Sequence, residues 1–234
     1  MTSLPFRDWA RPTIRYCESN LNGWIAQPAN AGSSLLISLA GVYILTAKRH
    51  AYSLYLGVIA IILGLASFFY YASFTFVGQL ADLGSMYMLA ALLIVVALRR
   101  SMLSRNQKLS IIAVGTGLPL IVTAVLKTID NFNIGIPFFA ILLFTAVYLE
   151  LKAAAIEKLN LRFFGLTSVA FAIGYIFWWL DYKKLWCNTG SYHYINGHAV
   201  WHLLNSVALV CLDRYYSQIR IPRKRNLTSR RFDY

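Results

Sequence analysis

Charged residues are scarce in this chain. Of its 234 residues only 13% are Asp, Glu, Lys or Arg, whereas 58% are hydrophobic, and the mean hydropathy is +0.55. A soluble domain of this length carries about a quarter charged residues. The shortage therefore excludes an ordinary soluble domain and predicts a membrane protein.

The sequence also shows no pattern that indicates a leader, a repeat or a soluble second domain. No basic segment followed by an apolar stretch and a small-residue cleavage site opens the chain, so we expect no cleaved signal peptide. No segment repeats another, and no hydrophilic region suggests a separate soluble domain.

Long apolar runs, by contrast, follow one another along the chain. Seven of them predict an all-α bundle of seven transmembrane helices. The first and the fifth are short for a span and need their flanks or local membrane thinning to cross. Residues 1–29 are interpreted as an interfacial N-terminal segment, residues 30–216 as the membrane domain and residues 217–234 as a basic tail. The predicted spans are 30–47, 53–74, 80–98, 109–126, 134–149, 163–180 and 195–212.

Basic residues in the loops predict the orientation of the bundle. They are concentrated after spans one, three and five and in the tail, so the C-terminus is expected in the cytoplasm and the N-terminus outside or in a lumen. Arg7, Arg11 and Arg15 in the N-terminal segment oppose this assignment mildly. The basic positions that support it are Lys48, Arg49, Arg99, Arg100, Arg105, Lys108, Lys152, Lys158, Arg162, Arg214, Arg220, Arg223, Lys224, Arg225, Arg230 and Arg231.

The net charge of +13 has two explanations. In a soluble protein it would suggest a nucleic-acid partner, but here the charge lies largely in predicted cytoplasmic loops and a tail without a folded recognition motif. Contact of the tail with anionic lipid explains the charge more simply, and no nucleic-acid partner is expected.

Polar residues from separate spans are predicted to meet at the outer leaflet. His198 and His202 lie one helical turn apart near the outer end of span seven, where they can share one metal ion. Ser67 and Tyr71 lie in the outer half of span two, and Asp82 lies at the start of span three. Ionisable groups inside a span usually mark a functional site. The alternative is a pair of interfacial histidines that hold helices together.

Two of the three cysteines are predicted on that same outer side. Cys17 precedes span one and Cys187 precedes span seven, whereas Cys211 lies near the cytoplasmic end. In an oxidising compartment Cys17 and Cys187 can form a disulfide. The alternative is two buried free thiols.

Four blocks of sequence resemble the alkaline ceramidase-like membrane hydrolases. They occur in the order found in that family and cover nearly the whole chain, and the histidine pair in the last block is the most specific element. The blocks are YCESN with WIAQPAN at 16–20 and 24–30, GLASFFYY at 64–71, QLAD at 79–82, and CN with GHAVWHLL at 187–188 and 197–204.

The resemblance implies a seven-helix fold and a zinc-dependent amide hydrolase. In such proteins three histidines hold zinc, and a serine and an aspartate lie beside the water that attacks the amide of ceramide. Two of the zinc ligands fall on His198 and His202, the serine on Ser67 and the aspartate on Asp82. The third histidine falls on Tyr71, which departs from the pattern.

Because position 71 is a tyrosine, the identity of the third zinc ligand stays open. A catalytic zinc generally keeps three protein ligands. Tyr71 can serve as a phenolate, although the ordinary pKa of tyrosine is near 10. Asp82 or His193 are the other candidates, and a fourth alternative is that no catalytic metal binds.

The N-terminal block departs from a calcium site that the resemblance implies. Glu18 and Asn20 match its pattern, but Arg15 stands where an aspartate is common and Gln27 where a glutamate is expected. Calcium favours carboxylate oxygens, so its binding is not expected here. We expect Arg15 to pair with Glu18 in place of the ion. The alternative is that both side chains point into water.

Two functions remain open. The first is a membrane zinc amidase that acts on ceramide or a related N-acyl lipid from the outer leaflet, with Ser67 stabilising the oxyanion and Asp82 acting on the water. The second is a lipid-binding or scaffold protein that has kept the fold and lost the chemistry. A retinal protein is disfavoured because span seven has no lysine, and a transporter because inverted halves are not evident.

Overall fold

The chain folds into seven helices and contains no strand in residues 6, 9–47, 50–98, 104–130, 134–187 and 195–219, which the computed structural model describes. The all-α prediction is therefore confirmed for these residues. The helices are α1 (Pro28–Ala47), α2 (Ala51–Ser73), α3 (Phe76–Ala97), α4 (Arg105–Asp130), α5 (Gly135–Glu157), α6 (Arg162–Tyr182) and α7 (Gly197–Tyr216).

Helices α1 to α6 are long and apolar enough to cross a membrane. Helix α7 has the length but is more polar, because it carries two histidines, an asparagine, an aspartate and an arginine. The chain is thus an integral membrane protein, whereas its seven crossings and its orientation stay predictions. Several of the cations used to orient it, Lys48, Arg49, Arg99, Arg100 and those after position 219, lie outside the described residues.

Helix α5 extends beyond the short apolar run of the fifth predicted span into its flank, which is one of the two ways in which that span was expected to cross. It has 23 residues and is about 35 Å long at 1.5 Å per residue. The helix continues past the predicted end because Glu150 is buried and accepts a hydrogen bond of 2.8 Å from the Tyr215 hydroxyl. A carboxylate satisfied in this way does not end a membrane helix.

The helices form an open ring. Helix α3 packs against α2, α4 and α5, while α7 packs against α1, α2 and α6. Helices α5 and α6 are consecutive, yet among the described residues they do not pack against each other. The bundle is therefore open on the side between α5 and α6.

Part of the N-terminal segment is inserted into one end of the ring. Ile14 and Tyr16 belong to a buried cluster with Tyr71, Trp178 and Trp201. The backbone N–H of Gln27 donates to the Tyr71 carbonyl at 3.1 Å, which satisfies an acceptor at the end of α2. The segment is thus partly core, although Trp24 is exposed as an interfacial residue would be.

A polar cluster fastens the start of α2 to the end of α7 at the opposite end. The Ser53 hydroxyl donates to Asp213 Oδ1 at 2.7 Å, and His50 Nε2 lies 2.9 Å from the same oxygen. The Tyr52 N–H donates to His50 Nδ1, so the imidazole proton lies on Nε2, where it is donated to the Asp213 main-chain oxygen at 2.9 Å. The fully buried carboxylate of Asp213 thus accepts from Ser53 and lies beside the His50 ring.

Replacing Asp213 tests how much this cluster stabilises the bundle. Asp213→Ala leaves the buried Ser53 hydroxyl without its acceptor and removes the carboxylate beside His50, which keeps the main-chain oxygen of residue 213 as an acceptor, so we expect the free energy of unfolding to fall by about 1–3 kcal/mol. Asp213→Asn keeps one acceptor oxygen and should cost less than half as much. Chemical unfolding in detergent measures both values, and equal losses for the two variants would contradict the hydrogen-bonding role.

Candidate functional site

A tight turn between α2 and α3 brings Ser67, Tyr71 and Asp82 to one end of the bundle. Phe74 ends α2 in the left-handed region, with a φ of 46°. Thr75 caps α3 by accepting from the Gly78 N–H. A Cβ at Gly78 would lie 2.8 Å from the Cα of Tyr70, so a glycine is needed where the two helices approach.

The start of α7 is fixed by side chains from two other elements. Asn196 caps the helix by accepting from the Ala199 N–H at 2.7 Å, and Asp181 from α6 accepts from the His198 N–H at 3.2 Å. A Cβ at Gly197 would lie 2.5 Å from the Phe177 carbonyl oxygen, so only glycine permits this close approach of α6 and α7. The histidines are thereby held on a rigid first turn.

The five polar side chains predicted to meet all lie in this buried region, and none is more than 9% exposed. The Ser67 hydroxyl donates to Asp82 Oδ1. Tyr71 Oη and His198 Nε2 share a hydrogen bond of 2.6 Å. The ring centroids of His198 and His202 are 4.6 Å apart.

Tyr16 from the N-terminal segment covers this group. Its ring centroid lies 4.1 Å from that of His198 and 5.9 Å from that of Tyr71. Burial, and to a lesser degree the Asp82 charge, raises the pKa of the Tyr16 phenol well above its ordinary value. Tyr16 is therefore a neutral aromatic wall beside the histidines.

Ser33 on α1 fixes the tautomer of His202. The Ser33 hydroxyl donates to the Asn30 carbonyl at 3.1 Å, and its oxygen lies 2.9 Å from His202 Nδ1. Because the single hydroxyl proton is used on Asn30, His202 Nδ1 carries a proton and donates it to Ser33. The lone pair of Nε2 is then available, which is the arrangement of a metal-binding histidine with an outer hydrogen-bond partner.

Imidazole nitrogens and a phenol oxygen are atom types that can bind zinc, and the three side chains to which the resemblance assigns the ion, His198, His202 and Tyr71, lie together here. Tyr71 Oη and His198 Nε2 are hydrogen-bonded to each other, however. His198 Nδ1, on the other side of the ring, is buried and has no hydrogen-bond partner within the described structure. No three His, Cys, Asp or Glu side chains converge in the described ranges, so Asp82 does not complete the set. His193, the other candidate, lies outside the described residues.

A cavity of about 350 Å³ begins at the polar group and extends along the bundle. Its walls are almost entirely apolar and come mainly from α2, α3, α5, α6 and α7, with Ile37 of α1 and Ile14 and Tyr16 of the N-terminal segment. Ser67, Asp82, His198 and His202 lie at one end, and Glu150 and Tyr216 lie towards the other. A long apolar cavity with a few polar groups at one end suits a ligand with an acyl chain.

The same cavity reaches the gap between α5 and α6. Phe144 of α5 and Ser168 of α6 line it and are exposed on the bundle surface. The helices on this side of the ring are apolar. The cavity is therefore open to apolar molecules from the side of the bundle.

The predicted pairing of Arg15 with Glu18 is not formed. The Glu18 carboxylate is buried and accepts from the N–H groups of Ala29 and Asn30, both at 2.9 Å. Arg15 is exposed, and no ion pair joins it to Glu18 in the described part of the chain. The start of α1 satisfies the carboxylate instead, because a helix N-terminus favours negative charge.

The predicted disulfide between Cys17 and Cys187 is confirmed, with the two Cα atoms 5.2 Å apart. The Cys17 N–H also donates to Asp181 Oδ1 at 2.8 Å. Asp181 therefore contacts both the disulfide segment and the first turn of α7. The bridge holds the N-terminal segment next to the histidines.

Comparison with known proteins identifies the family of the chain. The family model described as Ceramidase matches residues 10–234. The chain belongs to the ceramidase family. This family comprises membrane hydrolases of the ceramide amide bond, so the resemblance read from the four sequence blocks is confirmed. No curated protein matches the chain.

Sequence reasoning missed Asp181 and Ser33, which position the histidines of this ceramidase-family chain. Asp181 immediately follows the predicted end of span six at position 180, which places it in a loop. A carboxylate directly after an apolar run was the sequence feature that could have indicated a buried, hydrogen-bonded group. Ser33 gave none, because serine is ordinary in membrane helices.

An Asp181→Asn variant tests the positioning of α7. The asparagine side chain keeps one acceptor oxygen, but its NH2 group faces the N–H of either Cys17 or His198. Because two donors then face each other, we expect the free energy of unfolding to fall by about 1–3 kcal/mol. Thermal unfolding in detergent measures the loss. Glu157→Gln makes the same neutralisation at an exposed carboxylate of α5 and should change the free energy of unfolding by less than about 0.5 kcal/mol. An Asp181→Asn variant as stable as wild type would exclude the proposed role.

Proposed function

We propose that this chain hydrolyses the amide bond of ceramide or a related N-acyl lipid within the membrane. The observation that carries the proposal is the buried group of Ser67, Asp82, His198 and His202 at the end of an apolar cavity that opens between α5 and α6. The cavity accommodates a lipid chain, and the polar group lies where the chain would join its amide. Family membership supports the same reaction class.

In this proposal His198, His202 and Tyr71 hold a zinc ion. Zinc supplies Lewis acidity, which polarises a carbonyl and lowers the pKa of water towards neutrality. Ser33 orients His202 through Nδ1, and Tyr16 excludes bulk water from the face of His198. Calcium is not part of the proposal.

The proposed reaction adds water to the amide. A bond forms between the water oxygen and the carbonyl carbon, and Asp82 takes one proton from the water as a general base. The carbon–nitrogen bond then breaks, and Asp82 returns that proton to the leaving nitrogen, which gives a fatty acid and an amine. Ser67 donates to Asp82 at rest and can turn to donate to the developing oxyanion.

The proposed location follows from the loop charges. The site lies at the end of the bundle that carries the N-terminal segment and the α2–α3 turn, which the distribution of basic residues assigns to the outer or lumenal leaflet. The tail at 217–234 is proposed to contact anionic lipid on the cytoplasmic side. Both statements rest on charge alone.

Hydrolysis of labelled ceramides and other N-acyl lipids by the purified protein tests the proposed activity. His202→Ala removes an imidazole from the site and should lower kcat/KM by at least about a hundredfold. Leu203→Ala changes the neighbouring exposed residue of α7 and should leave the rate within about twofold. Activity that survives His202→Ala would exclude the proposed centre.

The second candidate is a lipid-binding protein without catalysis, and the contact between Tyr71 and His198 favours it. Two ligands about 2.0–2.1 Å from a tetrahedral zinc lie about 3.3 Å apart. Tyr71 Oη and His198 Nε2 are 2.6 Å apart, which is the length of a hydrogen bond. Zinc binding must therefore separate these atoms and remove the phenolic proton.

Zinc analysis of purified variants distinguishes the two candidates. About one zinc per wild-type chain supports the hydrolase, whereas none after mild extraction supports the binding protein. Tyr71→His should tighten zinc binding by about tenfold to a thousandfold, because imidazole does not have to lose a proton whose ordinary pKa is near 10. Tyr71→Phe should weaken it, and no gain with histidine would exclude position 71 as a ligand.

A further inference from the structure

A buried amide network connects the N-terminal segment to the first turn of α1. Gln27 and Glu18 are 1% and 2% exposed. Gln27 Nε2 donates to the Glu18 main-chain carbonyl at 2.9 Å and to Asn20 Oδ1 at 3.0 Å. Its Oε1 accepts from Asn30 Nδ2 at 2.9 Å.

The orientation of the Gln27 amide follows from its partners. The main-chain oxygen of Glu18 can only accept a hydrogen bond, so the atom 2.9 Å from it must be the NH2 group of Gln27. Both hydrogens of that group are then used, one on Glu18 and one on Asn20. The NH2 group, which is the positive end of the amide dipole, therefore lies between the Glu18 carbonyl oxygen and Asn20 Oδ1.

We infer that the Gln27 NH2 group takes the position of a divalent cation at this point. Main-chain carbonyls, side-chain amide oxygens and carboxylates are the ligands of calcium at 2.3–2.6 Å. Here the Glu18 carbonyl and Asn20 Oδ1 each accept an N–H from Gln27, whereas Asn30 Oδ1 in the same network is buried and has no hydrogen-bond partner among the described residues. The residues present do not fit calcium, because the ion and the NH2 group compete for the same oxygens.

The network positions the histidine site without a metal. The Glu18 carboxylate accepts from the first turn of α1 and also from Asn196 Nδ2, at 3.4 Å, at the start of α7. That turn of α1 leads to Ser33, which contacts His202. The N-terminal segment thus links α1 to α7 with neutral donors, whether or not the chain hydrolyses lipid.

Thermal unfolding of the full-length protein in detergent, with EGTA or with millimolar calcium, tests the inference. The wild-type melting temperature should differ by less than about 1 °C between the two buffers. Gln27→Glu replaces the NH2 group by a carboxylate oxygen that faces the Glu18 carbonyl and Asn20 Oδ1. Because these oxygens repel one another, the melting temperature of the variant in EGTA should fall by about 5–10 °C. Calcium, but not magnesium at the same concentration, should restore most of that loss.

Gln79→Glu provides a matched control. Gln79 is also buried, but its Nε2 donates to the Thr13 hydroxyl at 2.7 Å, and a hydroxyl can turn to donate to a carboxylate. This variant has no second oxygen held in place to complete a calcium site. Its melting temperature should not respond to calcium.

Three results would overturn the inference. A wild-type melting temperature that rises by several degrees with calcium would show that the ion binds despite Gln27. A Gln27→Glu variant as stable as wild type in EGTA, or one destabilised without any recovery in calcium, would show that the NH2 group does not occupy a cation position. If Gln27→Glu cannot be purified, equilibrium dialysis of the wild type decides, since saturable calcium binding contradicts the inference and its absence supports it.

Discussion

The Asp181 carboxylate is the contact on which the site depends. One of its oxygens accepts from the Cys17 N–H and the other from the His198 N–H, so a single fully buried side chain joins the N-terminal segment, α6 and α7. A buried carboxylate is retained only where donors satisfy it. Once these donors are in place, the Cys17–Cys187 disulfide and the Asn196 cap on α7 allow little freedom in the position of the two histidines.

A common replacement links two of the three positions at which the chain departs from the pattern that the resemblance implies, Tyr71 and Gln27. At position 71 a phenol contacts His198, and at position 27 an amide contacts Glu18 and Asn20. In both places a side chain makes direct hydrogen bonds where the pattern calls for a metal ligand. The fold is thus compatible with hydrogen bonds in place of ion coordination, although one buried polar atom beside each position, His198 Nδ1 and Asn30 Oδ1, has no hydrogen-bond partner in the described part of the chain.

The sequence predicted the helices and the residues that meet, because hydropathy and the sequence blocks carry that information. The predicted ends of three spans were wrong because each was placed directly before a carboxylate. The hydropathy pattern ends spans five, six and seven at positions 149, 180 and 212. The residues that follow, Glu150, Asp181 and Asp213, are all buried and hydrogen-bonded. Hydropathy treats each charge as an end of a span, whereas the partners that make burial possible come from distant parts of the chain.

The gap between α5 and α6 has a consequence for how this protein meets its ligand. A molecule that enters from the bilayer is supplied by two-dimensional diffusion, so the relevant concentration is its mole fraction among neighbouring lipids. Detergent added beyond what is needed to keep the protein dispersed then acts as a diluent. If the proposed hydrolase takes its substrate from the bilayer, its apparent Michaelis constant depends on the lipid and detergent composition around the protein as well as on the affinity of the cavity.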